Sequence, residues 1–282
     1  MNVSRETELS FPRPPAPRSI VVANQKGGVG KTTTSVNLAS ALARGGLKTL
    51  VVDVDPQGNA STALGIEHRS GTAGPYEALL HQAPLEELVC TSPESENLQV
   101  IPATLDLAAA EIELVPLVAR EQRMKKALHS YLQNHDVDYV IFDCPPSLGL
   151  LTINALVAAN EILIPIQSEY YALEGVSQLM RTIHLVTSEL NPDLELSTVL
   201  ITMYDARTKL SAQVAEEVRS HFQNQTLLTL IPRSVRLSEA PSYGCTIHEY
   251  DPASVGAKAY RKAASEIAER GAKMKARAAR AL

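Results

Sequence analysis

The segment Lys26-Gly-Gly-Val-Gly-Lys-Thr-Thr33 constrains this chain more than any other. It follows an apolar run, Ile20-Val21-Val22-Ala23, that reads as a buried parallel strand, and it opens a helix-compatible segment from Lys31 to Arg44. Strand, glycine-rich turn and helix, in that order, make a phosphate-binding loop. The glycines let backbone N–H groups turn inward around phosphate oxygens, and the helix N-terminus adds partial positive charge. In such a loop Lys31 reaches the β- and γ-phosphates and Thr32 offers its hydroxyl to Mg²⁺. The strict pattern G-x-x-x-x-G-K-[ST] fails, because its first glycine falls on Gln25; what stands here is K-G-G-x-G-K-[ST], with Lys26 as a second lysine.

A chain of 282 residues with 45% apolar and 20% charged side chains has enough material for one large α/β domain. No apolar stretch reaches the roughly 18–20 residues of a membrane span, and no signal-peptide core stands at the N-terminus, so a cytoplasmic location is expected. Cys90, Cys144 and Cys245 are far apart and odd in number, which points to buried, reduced thiols. The net charge of −5 hides an asymmetry: residues 258–282 sum to +6 and the remainder to −11. A basic end on an acidic body suits local attraction to polyanions or a solvated helix end.

Residues 1–18, with prolines at 12, 14, 15 and 17, read as a disordered leader. From residue 19, short Val/Ile/Leu-rich runs at 19–24, 49–54, 98–102, 138–143, 161–166, 198–204 and 227–231 alternate with helical stretches at 31–44, 120–134, 150–158, 174–190 and 211–222. A helix near 254–270 closes the series. This alternation predicts a doubly wound, mainly parallel sheet flanked by helices, with ligands beyond the carboxyl ends of the strands. The expected organisation is a leader (1–18), a single nucleotide-binding domain (19–270) and a basic Ala/Lys/Arg-rich tail (271–282).

Two strands end in carboxylates. Leu50-Val-Val-Asp53-Val-Asp55 carries two acids at i and i+2, which point the same way in a strand. Tyr139-Val-Ile-Phe-Asp143 has the Walker-B form that positions Mg²⁺. Asp53 and Asp143 are the candidate metal-shell carboxylates, and Asp55 is the candidate for orienting an attacking water. Cys144 has no activating histidine beside it and reads as a core thiol, with His129 and His135 on an exposed helix.

Further stretches extend the pattern: Asn24 through Asn37, Asp53 through Asn59, Ile101-Pro-Ala-Thr104, Ala110-Glu-Ile-Glu-Leu114, Asp143 through Ala155, Glu169-Tyr-Tyr-Ala-Leu-Glu-Gly175, Asp205-Ala-Arg207 and Ile231 through Pro241. In these stretches, between residues 19 and about 256, the chain resembles the ParA/Soj-type chromosome- and plasmid-partitioning ATPases of the deviant Walker-A group, which includes MinD. The resemblance implies a P-loop fold, ATP and Mg²⁺ as cofactors, and nucleotide contacts from Lys26, Gly27, Gly28, Val29, Gly30, Lys31, Thr32 and Thr33. It implies that Lys26 crosses to the nucleotide of a second subunit in an ATP-sandwich homodimer, so a side chain at Gly28 is expected to obstruct dimerisation. It places Met203, Pro232 and Arg233 around the adenine, and Arg207 and Arg236 on double-stranded DNA bound without sequence preference. It also implies a ParB-type partner that stimulates hydrolysis, catalytic roles for Lys26, Lys31 and Asp55, and nucleoid association.

Two alternatives share this core. A MinD-like membrane ATPase needs a C-terminal amphipathic helix with bulky apolar residues, and the tail offers only Ile267, Met274 and Leu282, interrupted by Gly271; no membrane anchor is expected. A nitrogenase-reductase-like or amide-synthase relative would call for a cluster-bridging cysteine pair or a further substrate motif, and neither emerges.

Overall fold

The computed structural model describes residues 10–170 and 174–274. Among them eight strands form one sheet: β1 (Arg18–Val22), β2 (Thr49–Asp53), β3 (Cys90–Thr91), β4 (Leu98–Ile101), β5 (Tyr139–Asp143), β6 (Glu161–Gln167), β7 (Glu195–Tyr204) and β8 (Thr226–Pro232). Their order is β3-β4-β2-β5-β1-β6-β7-β8, parallel throughout except for the β3 edge. The expected doubly wound sheet is therefore present, with β1 in its middle. Chain connections leave β1 first towards β2 and β4, then return through β5 and continue on the other side through β6. That reversal is the switch point at which such sheets bind ligands.

The helices are α1 (Lys31–Arg44), α2 (Asn59–Ala63), α3 (Pro75–Leu80), α4 (Leu107–Glu113), α5 (Arg123–Asn134) and α6 (Leu150–Ala158). They continue with α7 (Glu174–Glu189), α8 (Lys209–His221), α9 (Val235–Glu239), α10 (Ile247–Tyr250) and α11 (Val255–Ala272). Alternation along each strand divides the core between two layers. Val21, Val52 and Phe142 face the cluster formed with α3 to α8, whereas Ile20, Val22, Val51 and Ile141 face the one formed with α1, α2 and α9 to α11. Because both faces are covered, the strands read as continuous apolar runs rather than alternating ones.

The leader does not behave as expected throughout. Residues 10–18 lie on the domain: Phe11 is buried, its N–H donates to Gly45 O at 2.9 Å, and a Cβ on Gly45 would overlap its ring. Arg13 Nε donates to Asp138 Oδ1 at 2.8 Å, and Arg18 already belongs to β1. A proline-rich extended path makes no internal hydrogen bonds and so has no period to read, yet one aromatic and two arginines anchor this one. Residues 1–9 lie outside the described residues. So does most of the expected tail, residues 275–282; its first residues continue α11, which runs through Ala272 with Ile267 in the core. Of the thiols, Cys144 is buried while Cys90 and Cys245 are half-buried. None of the described helices is long and apolar enough to cross a membrane.

Candidate functional site

The loop after β1 is held open by its flanks. Asn24 Nδ2 donates to Pro165 O in β6 at 2.8 Å, and its Oδ1 accepts from Lys26 N at 3.0 Å. On the other side Thr202 Oγ1, in β7, donates to Val29 O at 2.8 Å. Gly28 (φ 73) and Gly30 (φ 88) adopt left-handed backbone that side chains disfavour. Gly30 caps α1 with no side-chain hydrogen bond over the first turn, which leaves leading N–H groups of the helix of the kind that can receive an anion. A Cβ added at Gly28 would meet nothing within 4 Å of the same protomer.

The two lysines of this loop differ in environment. Lys31 is buried, with Nζ 3.4 Å from Lys26 O, and burial lowers its pKa against the opposing pull of Asp143 and Asp55. The Lys26 side chain is 39% exposed, and its Nζ lies 3.3 Å from Glu169 Oε2. Glu169 also approaches Arg233 Nη2, at 3.7 Å.

Strand register brings the carboxylates together. Asp53 and Asp143 are the last Cα partners of the β2–β5 ladder, and both are fully buried. Asp143 accepts from Thr32 Oγ1 (2.8 Å) and from Ser35 Oγ (2.7 Å). Asp53 Oδ2 accepts from Ser61 N (2.8 Å) and Ser61 Oγ (2.7 Å), and its Oδ1 from Asp55 N (3.2 Å). Burial pushes the Asp53 carboxyl up to about 7, and the Asp143 charge adds to the rise. Burial likewise lifts Asp143 to about 6, against the hydroxyls of Ser35 and Thr32.

β2 ends at Asp53 and Asp55 follows it outside the ladder; Asp53 accepts from Asp55 N and Ser61, Asp55 accepts from Gln57 N at 3.0 Å, and the Asp55 charge acts on both Lys31 and Asp143. No cluster of three metal-ligating side chains exists among the described residues. The donor set suits Mg²⁺ nonetheless: a hydroxyl and one or two carboxylates, completed by phosphate oxygens and water, are what this hard cation takes. Three buried carboxylates, Asp53, Asp55 and Asp143, with one buried lysine also leave room for a further positive charge.

A cavity of about 320 Å³ adjoins the loop through Gly30 and Thr33, and Met203, Pro232, Arg233 and Tyr260 line it. The three residues expected around a base thus share one cavity with the phosphate loop. Arg207 follows β7, is 86% exposed and donates to Asp205 at 2.9 and 2.8 Å. Arg236, in α9 beyond β8, donates to Asp251 at 2.6 Å and is exposed. Both therefore lie past the carboxyl ends of adjacent strands, each beside one carboxylate.

Sequence reasoning assigned no role to Glu169, Ser35, Ser61 or Asn24, although all but Ser61 fall inside the stretches it singled out. Ser35 carried a readable signal, since three residues after Thr32 places it on the same face of α1. Ser61, eight residues beyond Asp53, had none. Cys144 is a buried thiol whose pKa burial raises, in keeping with a core role.

Residues 17–196 match the family described as an AAA domain. The chain is 55% identical over 252 residues to the sporulation initiation inhibitor protein Soj of Bacillus subtilis, covering 89% of this chain and 98% of that one. It is 52% identical over 253 residues to the chromosome partitioning protein ParA of Myxococcus xanthus, with 90% and 88% covered. Among solved structures, cobyrinic acid a,c-diamide synthase from Mycobacterium smegmatis with bound ADP and magnesium superposes with a TM-score of 0.76 at 38% identity, over 88% of this chain and 92% of that one. Identity at this level along nearly the whole length of both partitioning proteins, on a parallel sheet with a two-lysine phosphate loop, means that the chain belongs to the Soj/ParA family of chromosome-partitioning ATPases.

Proposed function

We propose that the chain hydrolyses ATP with Mg²⁺, and that ATP closes two copies into a sandwich dimer that holds double-stranded DNA without sequence preference. The observation that carries this reading is the unequal burial of the two loop lysines: Lys31 is committed inward, and Lys26 stands half exposed on an acid it can leave. Bound Mg²⁺·ATP supplies the transferable phosphoryl group and the cation that offsets its charge.

Around that group the chain's own residues divide the work. Gly27 through Thr33 cradle the phosphates, Lys31 sits against them, and Thr32, held by Asp143, presents its hydroxyl to the cation. Asp53 acts through Ser61 and Asp55 N, keeping the β2 turn in place, and Asp55 orients the water. Met203, Pro232 and Arg233 enclose the base. Lys26 leaves Glu169 for the nucleotide of the facing subunit, which makes dimerisation conditional on a triphosphate. Arg207 and Arg236 of both subunits exchange Asp205 and Asp251 for DNA phosphates; doubling two weak patches raises effective affinity.

A ParB-type partner then stimulates hydrolysis, and the protein is nucleoid-associated while loaded. The Mycobacterium smegmatis neighbour is named for an amide synthesis; its lower identity places partitioning first. DNA binding decides between the two. A gel shift with unrelated duplexes should show salt-sensitive retention with ATP, none with ADP, and loss in Arg236→Glu with hydrolysis by the isolated protein preserved. Absence of retention with every nucleotide contradicts the proposal.

A further inference from the structure

The stretch Ala110–Leu114, shared with the partitioning family, has no part in the site described above, yet with its flanks it carries a run of exposed apolar side chains. One face of α4 and its flanks, with Leu107, Ala110 and Leu114, is buried in the core. The opposite face is apolar as well: Leu105, Ala108, Ala109, Ile112, Val115 and Val118 are all exposed, Ile112 to 77% and Val118 to 89%. A segment apolar on both faces ordinarily lies inside an assembly.

Its acids are engaged with neighbouring groups. Asp106 accepts from Gly71 N at 2.9 Å and Ser70 Oγ at 3.1 Å, Glu111 from Leu150 N at 2.8 Å, and Glu113 from Tyr76 OH at 2.8 Å. The side chains that make up this face carry no charge themselves, on a body whose residues 1–257 sum to −11. Two such bodies repel one another unless they meet where free charge is missing, and charge-poor cores are what protein interfaces select.

Position names the occupant. Glu111 caps the start of α6, directly after the loop that leaves Asp143. Ser61, which holds Asp53, also accepts from Ala103 N at 3.0 Å, at the entry to the α4 segment. The face thus stands on the carboxyl edge of the sheet, joined to both carboxylate strands and on the same edge as Lys26. The described segments nearest the termini lie elsewhere: Phe11 lies on Gly45, Arg13 on Asp138, and Gly271 against Arg18 and Tyr139, all at the amino edge.

We propose that this apolar face of α4 is a contact surface for a second copy of the chain in the ATP-held dimer. The inference rests on the sandwich reading above and gives it a surface beyond the nucleotides. An isologous closure over Lys26 brings the carboxyl edge of each protomer against the other and buries both α4 faces.

Sedimentation velocity with a slowly hydrolysed ATP analogue, paired with binding of a fluorescent ATP analogue by the monomer, tests it. Ile112→Glu should weaken self-association about tenfold or more while leaving nucleotide binding and the unfolding temperature unchanged. Ile112→Ala should shift association the same way by less, and Leu228→Glu, at an exposed apolar residue of β8, should not shift it. An Ile112→Glu protein that associates like the wild type overturns the proposal; if it loses only stimulation by the partner, the face belongs to that partner. A wild-type chain that stays monomeric with the analogue overturns the sandwich reading and this surface together.

Discussion

At the amino edge of the sheet Arg18 and Glu161 form a buried ion pair, with Nε to Oε1 at 2.7 Å and Nη2 to Oε2 at 2.5 Å. Nη1 adds bonds to Ile267 O at 2.8 Å and Tyr139 Oη at 3.2 Å, tying β1, β5, β6 and α11 together. Burial works against the Arg18 charge, yet the Glu161 carboxylate outweighs it and raises the guanidinium pKa. At the carboxyl edge, burial instead pushes Asp53 up to about 7 and Asp143 up to about 6, with the Asp143 charge adding to the first rise and the Asp55 charge to the second. Both edges withdraw charge from water, but only the first completes it within the chain. A complete buried pair serves the fold; an incomplete one is the mark of a site that takes its missing charge from a ligand.

The largest effects should come from breaking that contrast at either edge. Arg18→Ala or Glu161→Ala strands one buried charge and should cost about 3–5 kcal/mol in chemical denaturation. Asp143→Asn should do the opposite: it removes one of the crowded carboxylates and should leave the nucleotide-free protein at least as stable, while its ATP hydrolysis falls by about 10²-fold or more. A large loss of stability in Asp143→Asn would make the carboxyl edge structural too.

A smaller effect sharpens the comparison with a buried group that stays neutral. His248, in α10, is fully enclosed and lies 3.0 Å from Asn37 O through Nε2. Burial lowers its pKa from 6.5 to about 4, with Arg261 and Arg44 adding to the fall against the Asn37 bond. Between those values protons bind the unfolded chain more readily, so this residue's contribution is lost as pH falls from about 6.5 to 4, by up to about 3 kcal/mol. The difference in unfolding free energy between wild type and His248→Gln, followed across that range, should change with this sign.

The smallest effect concerns Glu169, which holds Lys26 at the half-exposed rim. Glu169→Gln removes a partner worth about 0–1 kcal/mol, and the concentration of ATP analogue needed for dimerisation should fall by a factor of about 2–5. An increase would show that Glu169 assists the crossing of Lys26 rather than restraining it.

The sequence made some of this architecture readable and hid the rest for physical reasons. Central strands such as Tyr139–Asp143 and Glu161–Gln167 stand out because both faces are covered and every position is apolar or terminal. The loop, α1 and the carboxylate at the end of β5 are local in sequence and carry their chemistry in residue type. Contacts across long separations leave no such trace: Lys26 meets Glu169, and Arg18 meets Glu161, each 143 residues away. β3, two residues long and antiparallel on the edge, is too short for any period. Ser61 reaches Asp53 from eight residues on, around a turn that leaves no local pattern.

The most direct test of the contrast between the edges is thermal unfolding of the wild-type chain with Mg²⁺ and ATP, with ATP and a chelator, and with neither. If the carboxyl edge is completed by Mg²⁺·ATP, the first condition should stabilise the protein by about 2.7 kcal/mol at a hundredfold excess over Kd, and most of that gain should vanish with the chelator. Identical unfolding in all three conditions would contradict the account.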